Sequence, residues 1–362
     1  MASADVPAPV SNGAALDTKS KIDHATTINE KQDTWLNSPS DSSPVDLTRT
    51  PFTHPFPTSK PAPGPTLTAE QTTKYESLLA TVKTWTDIPD SLSTNASRSP
   101  ITESEHMWLT RECLLRYLRA SKWVLPTAVK RIQGTLSWRR EWGVEKHTAD
   151  YISEENATGK QVITGFDNQG RPCLYLNPHR QNTKDEKKQM QHLVFMMERC
   201  IDLMPPGQET LALLVNYKHC KSGQNASVDQ GRQTIYILQN HYPERLGKAF
   251  IQELHWTLKL FYKLITPFID PVTKEKMNFD PNLREFIPPE QLIKDYGGDV
   301  DFVYEHEKYW PAFISLAINR KAEMTKRWEA AGKQIGESES YLKGEGEPVA
   351  RQIEVKTAEG GQ

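Results

Sequence analysis

Two clusters of polar side chains flank a strongly apolar segment, and together they have the composition of a binding site for an amphiphile. The first is residues 242–248, Tyr-Pro-Glu-Arg-Leu-Gly-Lys, and the second is residues 266–276, Thr-Pro-Phe-Ile-Asp-Pro-Val-Thr-Lys-Glu-Lys. Carboxylate, hydroxyl and ammonium groups bind a charged, hydroxylated headgroup, whereas apolar side chains bind hydrocarbon. A phosphoinositide combines both parts, so the layout favours a lipid carrier over an enzyme.

The apolar segment is predicted to form a helix over residues 256–268. Its apolar side chains cover more than one face of the helix: Trp256, Leu258, Leu260, Phe261, Leu264, Ile265 and Phe268. Lys259 and Lys263 interrupt them four residues apart, and therefore on one side. Periodicity alone also allows a buried core helix. The functional interpretation is a lid whose apolar face covers a lipid.

Motifs of nucleotide binding and catalysis are absent from the sequence. It contains neither the Walker pattern of phosphate binding, nor a G-x-G-x-x-G after a strand, nor the G-x-S-x-G of hydrolases. Histidines such as His192 and His241 are scattered without metal-ligand spacing, and the four cysteines form no C-x-x-C pair. The acidic pair Glu154 and Glu155 lies in polar context and is predicted to be solvated. We therefore expect no catalytic residues, no metal and no cofactor.

Composition divides the chain into a folded middle and two polar tails. Residues 1–66 hold ten of the 25 prolines, and residues 336–362 are rich in Gly, Glu and Lys, so both are predicted to be disordered. The net charge of −2 gives no reason to expect a nucleic-acid partner. Residues 111–146 carry nine Lys or Arg against three Asp or Glu, which suits either a solvated face or anionic lipid. Without a signal pattern or a run of 18 apolar residues, a cytoplasmic protein is expected.

Local patterns predict helices first and then alternating strands and helices. Thr68 and Thr102 are predicted N-caps, and Gly143 is a predicted stop. A hairpin is predicted around residues 167–170. Helices are then predicted over 185–204, 226–240 and 288–296 and from Pro311 onward, and strands over 211–217, 246–254 and 276–279. Strands that alternate with helices predict an α/β fold with a mainly parallel sheet.

Several motifs together resemble those of CRAL-TRIO lipid-binding proteins. Residues 113–123, CLLRYLRASKW, with 138–142, WRREW, resemble the helical N-terminal part of that family. Landmarks of its lipid-binding domain resemble residues 167–172, 242–248, 267–273 and 296–298, in the family's order. Within the family the resemblance is to fungal, yeast-type phosphatidylinositol transfer proteins of the subgroup linked to azole and multidrug resistance.

The resemblance implies an α/β fold with an N-terminal helical region and a CRAL-TRIO domain, which has a mainly parallel sheet, flanking helices and an apolar lid helix. The implied domains are a helical region over 67–150, a lipid-binding domain over 151–315 and a C-terminal helix over 316–335. In the resembling branch, a Glu of the Tyr-Pro-Glu-Arg motif and a Thr and a Lys after Asp-Pro-Val hold the inositol phosphate. Those positions are Glu244, Thr273 and Lys276 here. Their carboxylate, hydroxyl and ammonium groups suit inositol hydroxyls and a phosphodiester.

Two departures from the family pattern concern the ligands. The family often has a basic residue at the position of Ser121, which hydrogen-bonds to phosphate but carries no charge; Lys122 and Arg119 are candidates to replace that charge. Phosphatidylcholine-binding members carry small hydroxyl residues in the strand that here has Leu211 and Leu213. An all-apolar wall suits a sterol, whose single hydroxyl needs only one partner. A sterol is therefore the expected second ligand.

The sequence thus predicts a cytoplasmic lipid-transfer protein that associates transiently with membrane surfaces. It would bind phosphatidylinositol in an internal pocket and exchange it for a second lipid, a sterol. The alternative is a lipid-sensing interaction module that presents phosphatidylinositol to a kinase or regulates a small GTPase. The sequence identifies no protein partner.

Overall fold

The N-terminal part of the protein is helical, as the sequence predicts. The computed structural model describes residues 47–221, 224 and 227–349. Within these residues, four helices come first: α1 (Ala69–Lys83), α2 (Glu103–Trp108), α3 (Arg111–Ala120) and α4 (Leu125–Trp142). Thr68 and Thr102 cap α1 and α2 through reciprocal capping boxes, and Gly143 ends α4 at a φ of +74°. Between α1 and α2, β1 (Asp87–Pro89) pairs with β2 (Arg98–Pro100).

A five-stranded sheet follows, in the spatial order β3-β4-β5-β6-β7. The strands are β3 (Gln161–Phe166), β4 (Pro172–Leu176), β5 (Leu211–Asn216), β6 (Leu246–Gln252) and β7 (Met277–Phe279). Strand β3 pairs antiparallel with β4, and each later pair is parallel. The prediction of an α/β fold with a mainly parallel sheet is therefore confirmed. The β3–β4 turn is held by Asp167, whose carboxylate accepts the backbone N–H groups of Gln169 and Arg171.

Crossover helices connect the parallel strands and pack on the sheet. They are α6 (Glu186–Asp202), α7 (Val228–His241), and the successive helices α8 (Trp256–Ile265) and α9 (Pro271–Glu275). Helix α5 (Ala149–Ser153) precedes the sheet, and α10 (His306–Ala330) and α11 (Glu339–Leu342) follow it. The main core lies between the sheet, α6 and α10, with side chains such as Tyr175, Met196, Leu214, Phe250 and Phe313. A second core joins α1, α3 and α4 through Leu78, Leu114, Leu118, Ile132 and Leu136.

Two helix predictions are wrong. The last long helix begins at His306 rather than at Pro311, because the buried aromatic residues Tyr309 and Trp310 extend its apolar face one turn upstream. Pro311 lies inside this helix. Residues 288–296 form no α-helix; they make turns and a short 3₁₀ segment at Lys294–Tyr296, which Gly297 ends at a φ of +89°.

The predicted disorder of the tails does not hold for their inner parts. Near the N-terminus, Thr48 bridges to Phe302, and the backbone N–H of Phe52 donates to Thr164 Oγ1 at 3.3 Å. Near the C-terminus, the carboxylate of Glu339 is buried and accepts from Arg116 Nη2 at 2.6 Å. Low apolar density predicted disorder, but these segments are held by hydrogen bonds and ion pairs, and by a few apolar side chains such as Phe52 and Leu342 that pack on the folded part. Residues 1–46 and 350–362 lie outside the described residues.

Candidate functional site

A large cavity lies between one face of the sheet and helices α6, α7 and α8. Its volume is about 1330 Å³, above the roughly 300–1,000 Å³ of an ordinary small-molecule pocket. Its floor is formed by apolar side chains from four strands: Leu174, Leu176, Leu211, Leu213, Val215, Ala249, Ile251 and Met277. Most of this wall therefore suits hydrocarbon.

Strand alternation explains which residues of β5 reach the cavity. Leu211, Leu213 and Val215 line it, because successive side chains of a strand point to opposite faces. Ala212 and Leu214 are buried in the core instead. The structure thus places Leu211 and Leu213 on the cavity wall, where the sequence analysis expects them.

The lid helix predicted from the sequence is α8, continued by a short 3₁₀ turn at Thr266–Phe268. Its inner face closes the cavity with Phe261, Tyr262 and Ile265, and Leu258 is buried beside the sheet. The helix packs directly on α7, where a Cβ at Gly231 would lie only 3.1 Å from the Phe261 ring. Close packing at this glycine holds α8 against α7 over the cavity.

The outer face of α8 is also apolar. Leu260, Leu264 and Phe268 are exposed to 55%, 50% and 45%, and Val272 at the start of α9 is exposed to 59%. The guanidinium of Arg232 lies 4.6 Å from the centre of the Phe268 ring. The side chain of Trp256 lies outside the described residues. A helix with apolar side chains both inside and outside can cover a lipid and contact another apolar phase.

Glu244 precedes Thr273 and Lys276 by about 30 residues in sequence, and all three line one end of the cavity, which we call the Lys276 end. Lys276 Nζ donates to the backbone oxygen of Leu246 at 2.7 Å. Burial lowers the pKa of Lys276. The nearby Glu244 carboxylate acts to raise this pKa, because its negative charge stabilises the ammonium group. Of the three ammonium donors, two have no hydrogen bond to any described residue. They are available to a ligand.

Thr273 is positioned by the cap of α9. Asp270 is the N-cap residue; it accepts the backbone N–H of Thr273 at 2.9 Å and the Thr273 hydroxyl at 2.6 Å. Gln239 Nε2 of α7 also donates to Asp270, at 2.9 Å. Burial acts to raise the pKa of Asp270, but the hydrogen bonds from Thr273 and Gln239 hold it below its usual value. The ionised cap orients the hydroxyl and leaves its lone pairs to accept from a ligand.

Glu244 is held by Arg119, whose Nε donates to Glu244 Oε2 at 2.5 Å. Arg119 Nη2 also donates to Glu209 at 3.2 Å, which fixes the guanidinium between two carboxylates. Glu244 itself has a φ of +58°, a conformation that most side chains rarely adopt. Its Oε1 has no hydrogen bond to a described residue, so one oxygen remains for a hydroxyl of a ligand.

The basic segment before α4 contributes only in part. Lys122 and Arg119 line the cavity, whereas Ser121 does not. The Ser121 hydroxyl is buried without a hydrogen-bond partner at the C-cap of α3. The suggestion that Ser121 contacts phosphate therefore has no support from its position. Arg131 of α4, which the sequence analysis missed, also lines the cavity and donates to the backbone oxygens of Ala120 and Gln239.

Sequence reasoning also missed Asp270, although the signal was present. An Asp before a Pro at the start of a short helix is a typical N-cap, and the cap aligns Thr273 three residues later. Within the described residues, no group of histidine, cysteine and acidic side chains could hold a metal ion. In the same part of the chain, no helix is long and apolar enough to cross a membrane.

Comparison with known proteins is consistent with this geometry. The family model of the CRAL/TRIO domain matches residues 156–298, and that of the CRAL/TRIO N-terminal domain matches residues 74–134. The phosphatidylinositol transfer protein PDR17 of Saccharomyces cerevisiae is 39% identical over 264 residues, which are 70% of this chain and 75% of that protein. The SEC14 cytosolic factor of Candida glabrata is 26% identical over 209 residues, 51% of this chain and 69% of that protein.

A longer relative matches nearly the whole chain. A CRAL-TRIO domain-containing protein of Schizosaccharomyces pombe is 44% identical over 351 residues, which are 95% of this chain. The chain spans only 34% of the length of that protein.

Proposed function

The chain belongs to the CRAL/TRIO family, and we propose that it is a lipid-transfer protein which carries phosphatidylinositol in its cavity. It exchanges this lipid at membranes for a second one, a sterol. It works in the cytoplasm and binds membrane surfaces only transiently. The observation that carries the proposal is a 1330 Å³ cavity with an apolar floor that ends at a lysine with unused donors.

The Lys276 end recognises the headgroup. The two unused donors of Lys276 bind the phosphodiester, since charge-assisted hydrogen bonds are about twice as strong as neutral ones. Glu244 Oε1 accepts from an inositol hydroxyl, and the Thr273 hydroxyl accepts from another. Arg119 lies at the same end, hydrogen-bonded to Glu244, and Lys122 also lines the cavity; these two residues are the candidates for the positive charge that Ser121 lacks. An anionic, polyhydroxylated headgroup meets all of these groups.

The apolar floor holds the acyl chains. Each buried CH₂ contributes about 0.8 kcal/mol, so a chain of about 16 carbons contributes on the order of 12 kcal/mol. Release of such a chain into water is therefore slow. Exchange is expected at a bilayer, where the chain passes from one apolar environment to another.

The lid helix α8 makes that passage possible. Its outer residues Leu260, Leu264 and Phe268 are exposed in solution, and they lose contact with water when they enter a membrane. Lys259 and Lys263 are exposed on the same helix and attract anionic lipid headgroups. Membrane contact on the outer face offsets the contacts that the inner face loses as α8 opens.

A vesicle assay tests the headgroup site. The purified protein is mixed with donor vesicles that contain labelled phosphatidylinositol, and transfer to acceptor vesicles is followed. Lys276→Ala is expected to lower transfer by about 10- to 100-fold, the worth of a charge-assisted hydrogen bond. Glu244→Gln is the better change at the second position, because it removes the charge and keeps a residue of the same shape at a φ of +58°.

Lys274→Ala is the matched control. Lys274 lies in α9 two residues before Lys276, is exposed and does not line the cavity. Transfer by this variant is expected to stay at the native level. Native transfer by Lys276→Ala and Glu244→Gln together would refute the headgroup assignment.

The alternative function, an interaction module that presents phosphatidylinositol to a kinase or regulates a small GTPase, uses the same cavity. The vesicle assay contains no partner protein, and therefore separates the two functions. A carrier moves lipid between vesicles by itself, whereas a presenting module binds lipid and transfers it poorly. The apolar outer face of α8 favours the carrier, because it provides direct membrane contact.

A further inference from the structure

The cavity has a second polar end, which we call the His192 end and define by Lys160, Gln161 and His192. All three residues line the cavity, Lys160 and Gln161 from the start of the β3 region and His192 from α6. None of them belongs to the motifs that resemble the family's lipid-binding landmarks.

The two polar ends lie at opposite corners of the sheet. At the His192 end, Gln161 of β3 pairs with Leu176 of β4, which pairs with Val215 of β5. At the Lys276 end, Lys276 binds the carbonyl of Leu246 in β6, and Leu246 pairs with Leu211 of β5. Four residues along β5 correspond to about 13 Å, and three strand spacings from β3 to β6 to about 14 Å. The ends are therefore roughly 20 Å apart. One small headgroup cannot contact both.

His192 has unused hydrogen-bonding capacity. Its side chain is 0% exposed, and neither ring nitrogen has a hydrogen-bond partner. A ligand hydroxyl therefore reaches the ring only when the side chain turns toward the cavity. Burial lowers the pKa of His192 well below its usual value, and the nearby Lys160 charge lowers it further, so the ring is neutral. A neutral imidazole has one donor and one acceptor. The side-chain oxygen of Gln161 is also buried without a partner. Unpaired buried polar groups destabilise a fold, so a group that pairs with them is bound favourably.

The hydrogen bonds of Lys160 limit what this side chain can bind. Lys160 Nζ donates to the carboxylate of Glu155, to Gln181 Oε1 at 2.7 Å and to Thr183 Oγ1 at 3.1 Å. These three contacts use all three ammonium donors, and Glu155 neutralises the charge. The Lys160 ammonium therefore has nothing left for a phosphate. A neutral hydroxyl, which donates once and accepts, matches the unpaired imidazole and amide oxygen.

We propose that the His192 end binds the hydroxyl group of a neutral monohydroxy lipid of the sterol class. The apolar body of the lipid lies along the floor formed by Leu174, Leu176, Leu213 and Val215, with its polar end reversed relative to phosphatidylinositol. This inference rests on the proposed function, because it needs a cavity that holds lipids. The hydroxyl of the second ligand needs a hydrogen-bond partner, which the leucine wall cannot provide. The His192 end provides that partner.

A comparison of two probes tests the inference. Cholesterol and cholestane, which lacks the hydroxyl, are offered in vesicles to the 362-residue chain, and the amount of each that is bound is measured. The preference for cholesterol is compared between the native protein and His192→Phe, so that differences in vesicle partitioning cancel. The preference is expected to fall by about tenfold in the variant, the loss of about one hydrogen bond. His106→Phe, in α2 and away from the cavity, is the control and keeps the native preference.

A second variant covers the case in which His192→Phe does not fold. Gln161→Leu changes a partly exposed side chain at the same end and is expected to lower the preference in the same direction. A preference that neither substitution changes overturns the inference, and means that ordered water satisfies the imidazole. Absence of any native preference overturns it too.

Phosphatidylinositol transfer by the native protein is measured separately. If the protein transfers phosphatidylinositol but shows no preference for cholesterol, this inference fails and the phosphatidylinositol part of the proposed function stands. If the preference is present and depends on His192 but phosphatidylinositol is not transferred, the inference stands and that part of the proposed function fails.

Discussion

Each end of the cavity contains a lysine, and the two lysines differ in how their hydrogen bonds are used. Lys276 makes one hydrogen bond, to the Leu246 carbonyl, whereas Lys160 makes three, to Glu155, Gln181 and Thr183. Burial lowers the pKa of both side chains. The two lysines therefore carry the same charge but differ in role: Lys276 has donors available to a ligand, whereas the donors of Lys160 are all used within the protein.

A lysine in a cavity therefore indicates a ligand site only when some of its N–H donors have no partner in the protein. At the Lys276 end, the unused groups are two N–H donors and a carboxylate oxygen of Glu244, which fit an anion that carries hydroxyls. At the His192 end, the unused groups are a neutral ring and an amide oxygen, which fit a single hydroxyl. Under the two proposals, one cavity holds two kinds of lipid, each bound through its polar group at a different end.

The largest expected effect comes from removing the saturated lysine. Lys160→Ala leaves the Glu155 carboxylate buried at 0% exposure without its counter-charge. We expect the free energy of unfolding to fall by about 3–5 kcal/mol, as measured by urea denaturation, because an unpaired buried charge is strongly destabilising. This outcome would establish Lys160 as a structural residue.

A double variant provides the control for that prediction. Lys160→Met with Glu155→Leu removes both charges together, and is expected to recover most of the lost stability. A single variant as stable as the native protein would contradict the comparison, since Lys160 would then be as dispensable for the fold as Lys276.

The next effect is the pH dependence that His192 gives to stability. The folded state keeps the pKa of His192 well below 6.5, whereas the unfolded chain protonates near 6.5. The unfolded state therefore binds more protons below about pH 6.5, and the free energy of unfolding falls as the pH is lowered. From pH 8 to pH 5 this one residue is expected to remove about 2 kcal/mol. Urea denaturation at several pH values gives the free energy of unfolding of the native protein and of His192→Phe. The contribution of His192 is the difference between the two proteins in how steeply this free energy falls from pH 8 to pH 5.

His241 contributes a second part of the same acid sensitivity. Burial lowers its pKa to about 4, with help from the charges of Arg131 and Arg139. It lies outside the His192 end, stacked on Trp138 with ring centres 4.1 Å apart. Some acid destabilisation should therefore persist in His192→Phe. If the free energy of unfolding depended equally on pH in this variant and in the native protein, the imidazole of His192 would be protonated in the folded state as readily as in the unfolded chain.

Much of the fold and one end of the cavity could be predicted because their signals are local. Thr102 with Glu105 formed a capping box, and the apolar run at Leu211–Asn216 formed a strand buried on both faces. The cluster of Glu244, Thr273 and Lys276 was assigned by resemblance, and the chain brings these residues to one end of the cavity. Each of these predictions depended on residues that are neighbours in sequence or on the order of motifs along the chain.

Burial of individual polar residues could not be predicted in this way. Glu154 and Glu155 are both predicted from the sequence to be solvated. Glu154 is exposed, but Glu155 is fully buried against Lys160, so the prediction for Glu155 is wrong. The difference depends on where a partner lies in space. The same holds for Glu339, in a polar segment predicted to be disordered, whose partner Arg116 lies 223 residues away in sequence.

His192 shows the same limit at the candidate site. In the sequence it was one of several scattered histidines, without a partner at ligand spacing. Its importance comes from an absence of hydrogen bonds within a cavity, which only the arrangement of α6 against β3 reveals. The unpaired ring of His192 is visible only in the structure, because the sequence does not show which hydrogen-bond partners a residue has.

A smaller effect is expected at the apolar wall between the two ends. Leu213→Thr places a hydroxyl on the apolar floor and removes buried hydrocarbon. Sterol binding is expected to weaken by about 1–2 kcal/mol, since the sterane ring system has no partner for that hydroxyl. Leu211→Ser acts in the same direction. Sterol binding to vesicle-loaded protein measures both, and binding at the native level would mean that the sterol does not touch this wall.

The smallest expected effect is on the stability of the protein without lipid after Lys276→Ala. Because the pKa of Lys276 is lowered on folding, the folded state disfavours its charged form, and stability at neutral pH gains nothing from that charge. The substitution removes one hydrogen bond to the Leu246 carbonyl, so the free energy of unfolding should change by no more than about 1 kcal/mol. Urea denaturation beside Lys160→Ala makes the test direct: a large loss of transfer with a small loss of stability marks a binding lysine. Equal losses of stability in the two variants would make Lys276 a structural residue as well, and the contrast between the two ends would disappear.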